Sequence, residues 1–280
     1  MLDTEPTPPT AAESFLVPLE VAELYEERFV PALFADWAPA VADVADLAPG
    51  QHVLDVACGT GILARTAADL VGELGIVTGV DVNPAMLTVA GRVRPDLDWR
   101  LGDAQALPFG DESFDRVMCQ MALMFFADRS VAVREMARVA RPGGIVTLMT
   151  PAALDLQPAW GPFVQVAARH AGPEAVKLLG TYWSAGDLGE LIGPLTNAGL
   201  QVIASITRVG TASFGSIDQM VTAEVESTPL VDLLTPGMYQ HIRVDAREAL
   251  LPFTKSDGQA ALPLVGHIVA GRKPAATTGG

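Results

Sequence analysis

Cysteine, histidine and basic side chains are all scarce in this chain of 280 residues, and each scarcity excludes something. Two cysteines, Cys58 and Cys119, cannot build a disulfide framework, and with four histidines at no tight ligand spacing they suggest no metal site. Lys and Arg total 18 against 33 Asp and Glu, and the net charge of -15 repels nucleic-acid phosphates and anionic membrane surfaces. Neither nucleic acid nor membrane is therefore expected as a partner. No apolar run approaches the roughly 18 to 20 residues that span a bilayer. The longest, Val117 to Ala127, is broken by Gln120. Met1 to Thr10 carries Asp3, Glu5 and three prolines where a secretory signal has a basic flank and an apolar core, so cytoplasmic residence is the default expectation. The G-x-G-x-x-G spacing of dinucleotide-binding loops is also missing.

Apolar residues make up half of the chain, enough for a sizeable core and one large α/β domain with decorations. Residues 1–12 and 274–280 are rich in Pro, Thr, Ala or Gly and read as frayed tails. Residues 13–48 hold Leu24, Tyr25, Phe29, Leu33, Phe34 and Trp37 at helical spacing, which predicts two short cap helices interrupted at Pro31 and Pro39. From residue 49 to 273, β-rich apolar runs alternate with helical periods, as in βαβ units. Strands are expected at His52–Val56, Ile76–Asp81, Asp98–Leu101, Phe114–Met118, Ile145–Met149, Gln201–Arg208 and Leu264–Ala270. The first helix should bury Leu63, Ala67, Leu70 and Val71; a second opens at Asn83-Pro84; a third, from about Ser130 to Ala140, should bury Ala132, Met136, Val139 and Ala140 and stop at Arg141-Pro142-Gly143-Gly144. Helical segments are also expected near Phe163–His170 and Asp187–Ala198, and the capping-box pair Ser216 and Gln219 opens another toward Glu226.

The run Val53 to Gly61 puts Asp55 at the end of a buried strand and the small residues Ala57, Gly59 and Gly61 in the turn before a helix, where ligand atoms can approach the main chain. A pyrophosphate would find Asp55 repulsive; the ammonium and sulfonium charges of S-adenosylmethionine would find it attractive. Asp81 ends the second strand, where a carboxylate can accept hydrogen bonds from ribose hydroxyls. Asp103 follows the third, where it can accept from an adenine amino group while the Ala104 amide donates to the ring. Three acids at three successive strand ends are far more specific than any one of them.

Together with Gly79-Val80-Asp81, Gly102-Asp103-Ala104, Leu107-Pro108-Phe109, Ser113-Phe114-Asp115 and Arg141-Pro142-Gly143-Gly144, this segment resembles the class I S-adenosylmethionine-dependent methyltransferases, in particular the subgroup that includes the ubiquinone and menaquinone biosynthesis enzymes. The resemblance covers residues 50–150 and thins elsewhere. It implies a Rossmann-like, doubly wound seven-stranded sheet of order 3-2-1-4-5-7-6 with the last strand antiparallel, helical cap segments, and cofactor across the carboxyl ends of strands one to four. Carried over by position, Asp55 faces the methionine end, Asp81 the ribose, and Asp103 with Ala104 the adenine. Val82 and Met86 cover adenine or ribose faces, Gln120 lies beside the methyl group, and Tyr25 and Phe29 fold over the cofactor. Ala57 departs from the glycine that many relatives have there.

Insertions near 151–185 and 211–255, together with the N-terminal helices, should supply a substrate cap through Phe15, Trp160, Phe163, Trp183, Phe214, Tyr239 and Phe253, which suits a small apolar or aromatic acceptor. The methyl acceptor atom can be carbon, oxygen or nitrogen, and a general base is optional. His170, His241 and Tyr182 are the candidates, while His52 and His267 read as structural. Cys58 and Cys119 read either as neighbours by the cofactor or as inert buried thiols, and homodimerisation is left open. Two other functions compete: a silent cofactor-binding module and a nicotinamide-dependent oxidoreductase.

Overall fold

A computed structural model describes residues 16–226 and 228–275. The frayed end expected at 1–12, Phe15, and residues 276–280 of the tail expected at 274–280 lie outside the described residues. The N-terminal segment begins with α1 (Leu19–Leu24) and runs without a break into a π-helical stretch, Tyr25–Phe34, before α2 (Ala38–Val44). Pro31 was expected to interrupt it. The wider π turn, in which Ala35 N bonds Val30 O five residues back at 2.9 Å, instead accommodates the proline ring and its missing donor. Pro39 stands in the first turn of α2, where a missing N–H is tolerated.

The remaining elements follow as β1 (His52–Val56), α3 (Ile62–Val71), β2 (Ile76–Asp81), α4 (Pro84–Val93), β3 (Asp98–Leu101), β4 (Phe114–Gln120), α5 (Arg129–Val139), β5 (Ala140–Pro151), α6 (Trp160–Ala171), α7 (Pro173–Gly180), α8 (Leu188–Asn197), β6 (Gln201–Phe214), α9 (Ile217–Glu226), α10 (Pro236–Ala249) and β7 (Ala260–Arg272). The seven strands lie in the order β3-β2-β1-β4-β5-β7-β6; β1 to β5 pair in parallel, and β7 runs antiparallel to both its neighbours. One apolar cluster joins α2, α3, α6, α9 and α10 to one face of the sheet, and a second joins α5 and α8 to the other. Burial on both faces explains why β1 reads as a continuous apolar run.

Several boundaries differ from expectation. β6 and β7 are longer than predicted because they extend together as a hairpin-like pair beyond the central sheet. Arg141 to Gly144 falls inside β5, with Gly143 at φ +80°, because the paired stretch resumes at Ala140 opposite Phe114. Leu70 is 49% exposed on a groove beside α2, and Ala64 takes a buried place on α3. The helix α5 buries Ala132, Met136 and Val139 as its period predicts. At α9, Gln219 N bonds Ser216 Oγ at 3.2 Å, but the Gln219 side chain accepts from Gly215 N, one residue before the expected capping-box donor. Among the described residues, no helix is long and apolar enough to cross a membrane.

Candidate active site

The register of the central strands sets the site. Val56 pairs with Val80 and Asp55 with Met118, so one residue further along β1 Ala57 stands between Asp81 on one side and Gln120 on the other. Neighbouring strands are about 4.8 Å apart, so these three positions form one short row across the carboxyl edge. Asp81 ties the loops together: Oδ1 accepts from Asn83 N and Oδ2 from Gly59 N, both at 2.8 Å. Asp55 is buried, and its Oδ2 accepts from Ala64 N at 2.9 Å in the first turn of α3. That helix is entered through Gly61, which has no side chain to cap it, so Asp55 satisfies one of its open amides. Asp103 Oδ1 accepts from Gln105 N at 2.8 Å, next to buried Ala104. Val82 and Met86, half-buried, continue from Asp81 into α4.

Burial pushes the Asp55 carboxyl up to about 8, against the Ala64 bond that lowers it and helped by the nearby Asp81 charge. Burial likewise raises Asp81 above the usual carboxylate range. Two acids that resist ionising in a dry site are relieved when a cation arrives. Ala57 at φ +55° and Met121 at φ +52° hold the left-handed region that non-glycine residues rarely adopt, both at the carboxyl edge of central strands. Gly61 has a structural reason of its own: a Cβ there would collide with the Trp99 indole, whose Nε1 bonds Arg94 O.

The π-helical stretch lies over this edge. A Cβ at Gly59 would come 3.6 Å from the Tyr25 hydroxyl, and the Tyr25 ring packs at 6.2 Å from Phe29 and 5.2 Å from Phe34. Burial, with Asp81 next, pushes the Tyr25 phenol well above its ordinary range. Gln120 Nε2 donates to Phe34 O at 3.0 Å, whereas its buried Oε1 has no partner among the described residues. Arg65 on α3 bonds Glu26 at 3.0 Å and Thr60 O at 3.2 Å, joining the stretch to the turn. Glu26, Phe34, Thr60 and Arg65 escaped sequence reasoning because their neighbours are distant in the chain.

Both cap insertions leave from the same edge, one after β5 and one after β6, and α6 packs on α7 and α10. Trp160, Phe163 and Trp183 are buried there; Trp160 lies 5.5 Å from Trp183 and donates to Glu224 at 2.9 Å. Burial pushes Glu224 up to about 7. Phe214, Tyr239 and Phe253 pack at the margin of this cluster. Of the three base candidates, Tyr182 touches the segment after β4, edge-on to Phe125 at 5.7 Å. His170 is held by Asp245 at 2.8 Å with the His241 ring 5.6 Å away, so these two pair with each other across α6 and α10. Cys58 and Cys119 are both free and buried, and burial raises both thiols, which matches inert packing.

Residues 54–148 match the family described as a methyltransferase domain, the same span that carries the acid row and the parallel core of the sheet. A demethylmenaquinone methyltransferase of Renibacterium salmoninarum is 41% identical over 128 residues, 45% of this chain and 51% of that protein. The chain thus spans about half the length of the curated relatives it matches. The whole chain is similar in fold to two solved structures. One is a phosphoethanolamine N-methyltransferase of Haemonchus contortus in complex with phosphomonomethylethanolamine and S-adenosylhomocysteine (TM-score 0.58, 18% identity, 95% of this chain and 60% of that one). The other is the [4+2]-cyclase SpnF (TM-score 0.58, 18% identity, 96% and 98%). At such identities the likeness concerns the fold alone.

Proposed function

We propose that this protein binds S-adenosylmethionine at the carboxyl ends of β1 to β4 and methylates a small apolar or aromatic acceptor under the cap, as a cytoplasmic enzyme. The observation that carries this reading is the row of Asp81, Ala57 and Gln120 beside buried Asp55, inside the matched methyltransferase domain. The residues fit the cofactor's chemistry. Asp55 and Asp81 are acids whose ionised forms a cation would favour, and Gln120 Oε1 is a buried acceptor awaiting a donor. Asp81 holds the ribose, Asp103 with Ala104 the adenine edge, Val82 and Met86 its faces, and Tyr25 and Phe29 cover it. Ala57, Gly59 and Gly61 shape the turn that receives the methionine part.

Bound cofactor supplies a methyl group on sulfonium, activated for in-line displacement. The chain's own work is to hold the acceptor in line and exclude water, and positioning of this kind can lower a barrier by roughly 7–11 kcal/mol. The apolar cap, with Trp160, Trp183 and Phe125, suits an aromatic acceptor. Tyr182 is the base candidate we favour, through its contact with Phe125 beyond β4. The similar Renibacterium enzyme makes demethylmenaquinol the first acceptor to test.

Transfer of labelled methyl from S-adenosylmethionine to demethylmenaquinol, or to a member of a phenol and carboxylate panel, checks the activity. Binding of S-adenosylhomocysteine with no transfer to any of them would leave a silent cofactor-binding module. Replacing Asp81 by Ala removes a charged acceptor and the Gly59 anchor, so affinity for S-adenosylhomocysteine should fall at least about tenfold. An unchanged calorimetric affinity refutes the site.

A further inference from the structure

Five buried side-chain polar atoms lack a partner among the described residues, and three of them, Glu26 Oε2, Thr60 Oγ1 and Gln120 Oε1, belong to residues bordering the turn after β1. Buried polar atoms are nearly always paired, and an unpaired one costs roughly 1–3 kcal/mol, so three around one turn need a common explanation. They share a framework. Arg65 joins Glu26 to the Thr60 carbonyl, Gln120 is fixed through Phe34 O, and Glu26 and Phe34 are both on the π-helical stretch.

The chemistry of these atoms is specific. Glu26 Oε2 and Gln120 Oε1 only accept hydrogen bonds, so they need a donor; Thr60 Oγ1 can donate. Arg65 has five N–H groups in a planar fork, and its two contacts here, to Glu26 and Thr60, leave donors over. The Arg65 and Glu26 side chains are 13% and 22% exposed, screened from bulk water but still approachable. Unsatisfied acceptors beside an acid, together with spare donors beside a guanidinium, complement one ligand type: a compact zwitterion with an ammonium and a carboxylate on the same carbon.

We propose that Glu26 and Arg65 read the amino-acid end of the cofactor, Glu26 with Gln120 taking the α-ammonium and Arg65 with Thr60 taking the α-carboxylate. This rests on the cofactor assignment above and extends it. Asp81 and Asp103 hold the nucleoside, whereas the N-terminal stretch, joined to α3 by the Glu26–Arg65 ion pair, discriminates ligands that carry an amino acid from those that lack one. Because Glu26 lies one residue from Tyr25, recognising the zwitterion and covering the turn are one event.

5′-Methylthioadenosine shares the nucleoside and the sulfur of S-adenosylhomocysteine but has no amino-acid end, so the pair of ligands isolates this subsite. Calorimetry should show wild-type protein preferring S-adenosylhomocysteine. Glu26→Gln and Arg65→Met should each lose at least about tenfold for that ligand, in line with hydrogen bonds to charged groups, while keeping methylthioadenosine affinity within about twofold. The methylthioadenosine arm doubles as a check that each variant is folded. Unchanged S-adenosylhomocysteine affinity in both variants overturns the proposal and leaves the cofactor assignment standing. Equal losses for both ligands assign the pair a purely structural role and also overturn it. If the wild-type protein binds neither ligand, the cofactor assignment has failed and this subsite falls with it.

Discussion

Ala57 carries a methyl group in a backbone conformation that glycine adopts freely, at the one position of the acid row that lacks a side chain able to hydrogen-bond. Strain of this kind costs on the order of 1 kcal/mol and persists where the surroundings over-determine it. Here Asp81 pins Gly59 and Asp55 pins Ala64, so the turn is fixed at both ends. Ala57→Gly should therefore raise the unfolding free energy by up to about 1 kcal/mol, reduced by the greater entropy of glycine in the unfolded chain. Urea unfolding checks it, and a clear loss of stability would show that the methyl group contributes packing that outweighs the strain. The sequence marks Ala57 as a departure from glycine, but its φ depends on how the turn is tied down.

At the scale of elements, buried acids join a helix to the sheet edge or one helix to another, and this makes stability depend on pH. Asp55 spans β1 and α3; Glu224 on α9 bonds Trp160 on α6. Both have folded values above their unfolded ones, raised by burial to about 8 and about 7 respectively. Below about pH 4 both states bind these protons; above it the unfolded chain releases them first. Ligand-free stability should then decline as pH rises, from about 4 toward 7 through Glu224 and from about 4 toward 8 through Asp55. Asp55→Asn keeps an acceptor for Ala64 N and removes one titration, so it should flatten the decline. Urea midpoints at pH 5 and pH 8 decide this, and equal slopes in variant and wild type would show that Asp55 ionises freely in the folded protein. The same scale explains what was legible along the chain. Asn83-Pro84 announced α4, with Asn83 Oδ1 accepting from Ala85 N. Thr235-Pro236 is the same kind of start and opens α10, where Thr235 Oγ1 accepts from Met238 N at 3.3 Å. That start is hard to read along the chain because α10 buries only Ile242 and Ala246 and so shows little apolar period.

The whole molecule consists of a matched core, residues 54–148, with an N-terminal stretch on one side and two insertions that leave the same edge of the sheet. Ligand at that edge bridges elements far apart in sequence and should therefore stabilise the protein as a unit. At a hundredfold excess over its dissociation constant, S-adenosylhomocysteine should add about 2.7 kcal/mol and raise the melting temperature. A melting temperature that does not move with ligand concentration would show that nothing binds.

The sequence by itself determined the seven strands, their parallel core and the three acids, because burial on both faces leaves continuous apolar runs and because each acid stands next to the turn it serves. It also gave the expectation that the site takes a cation, from Asp55 before a turn without pyrophosphate spacing. Only the tertiary structure decided that Pro31 lies inside a π-helical stretch, that Asp55 holds α3, that His170 bonds Asp245 beside the His241 ring, and that Glu26 and Arg65 meet across the turn. Those facts depend on which residues fold together from distant parts of the chain, and local periodicity carries no record of such meetings.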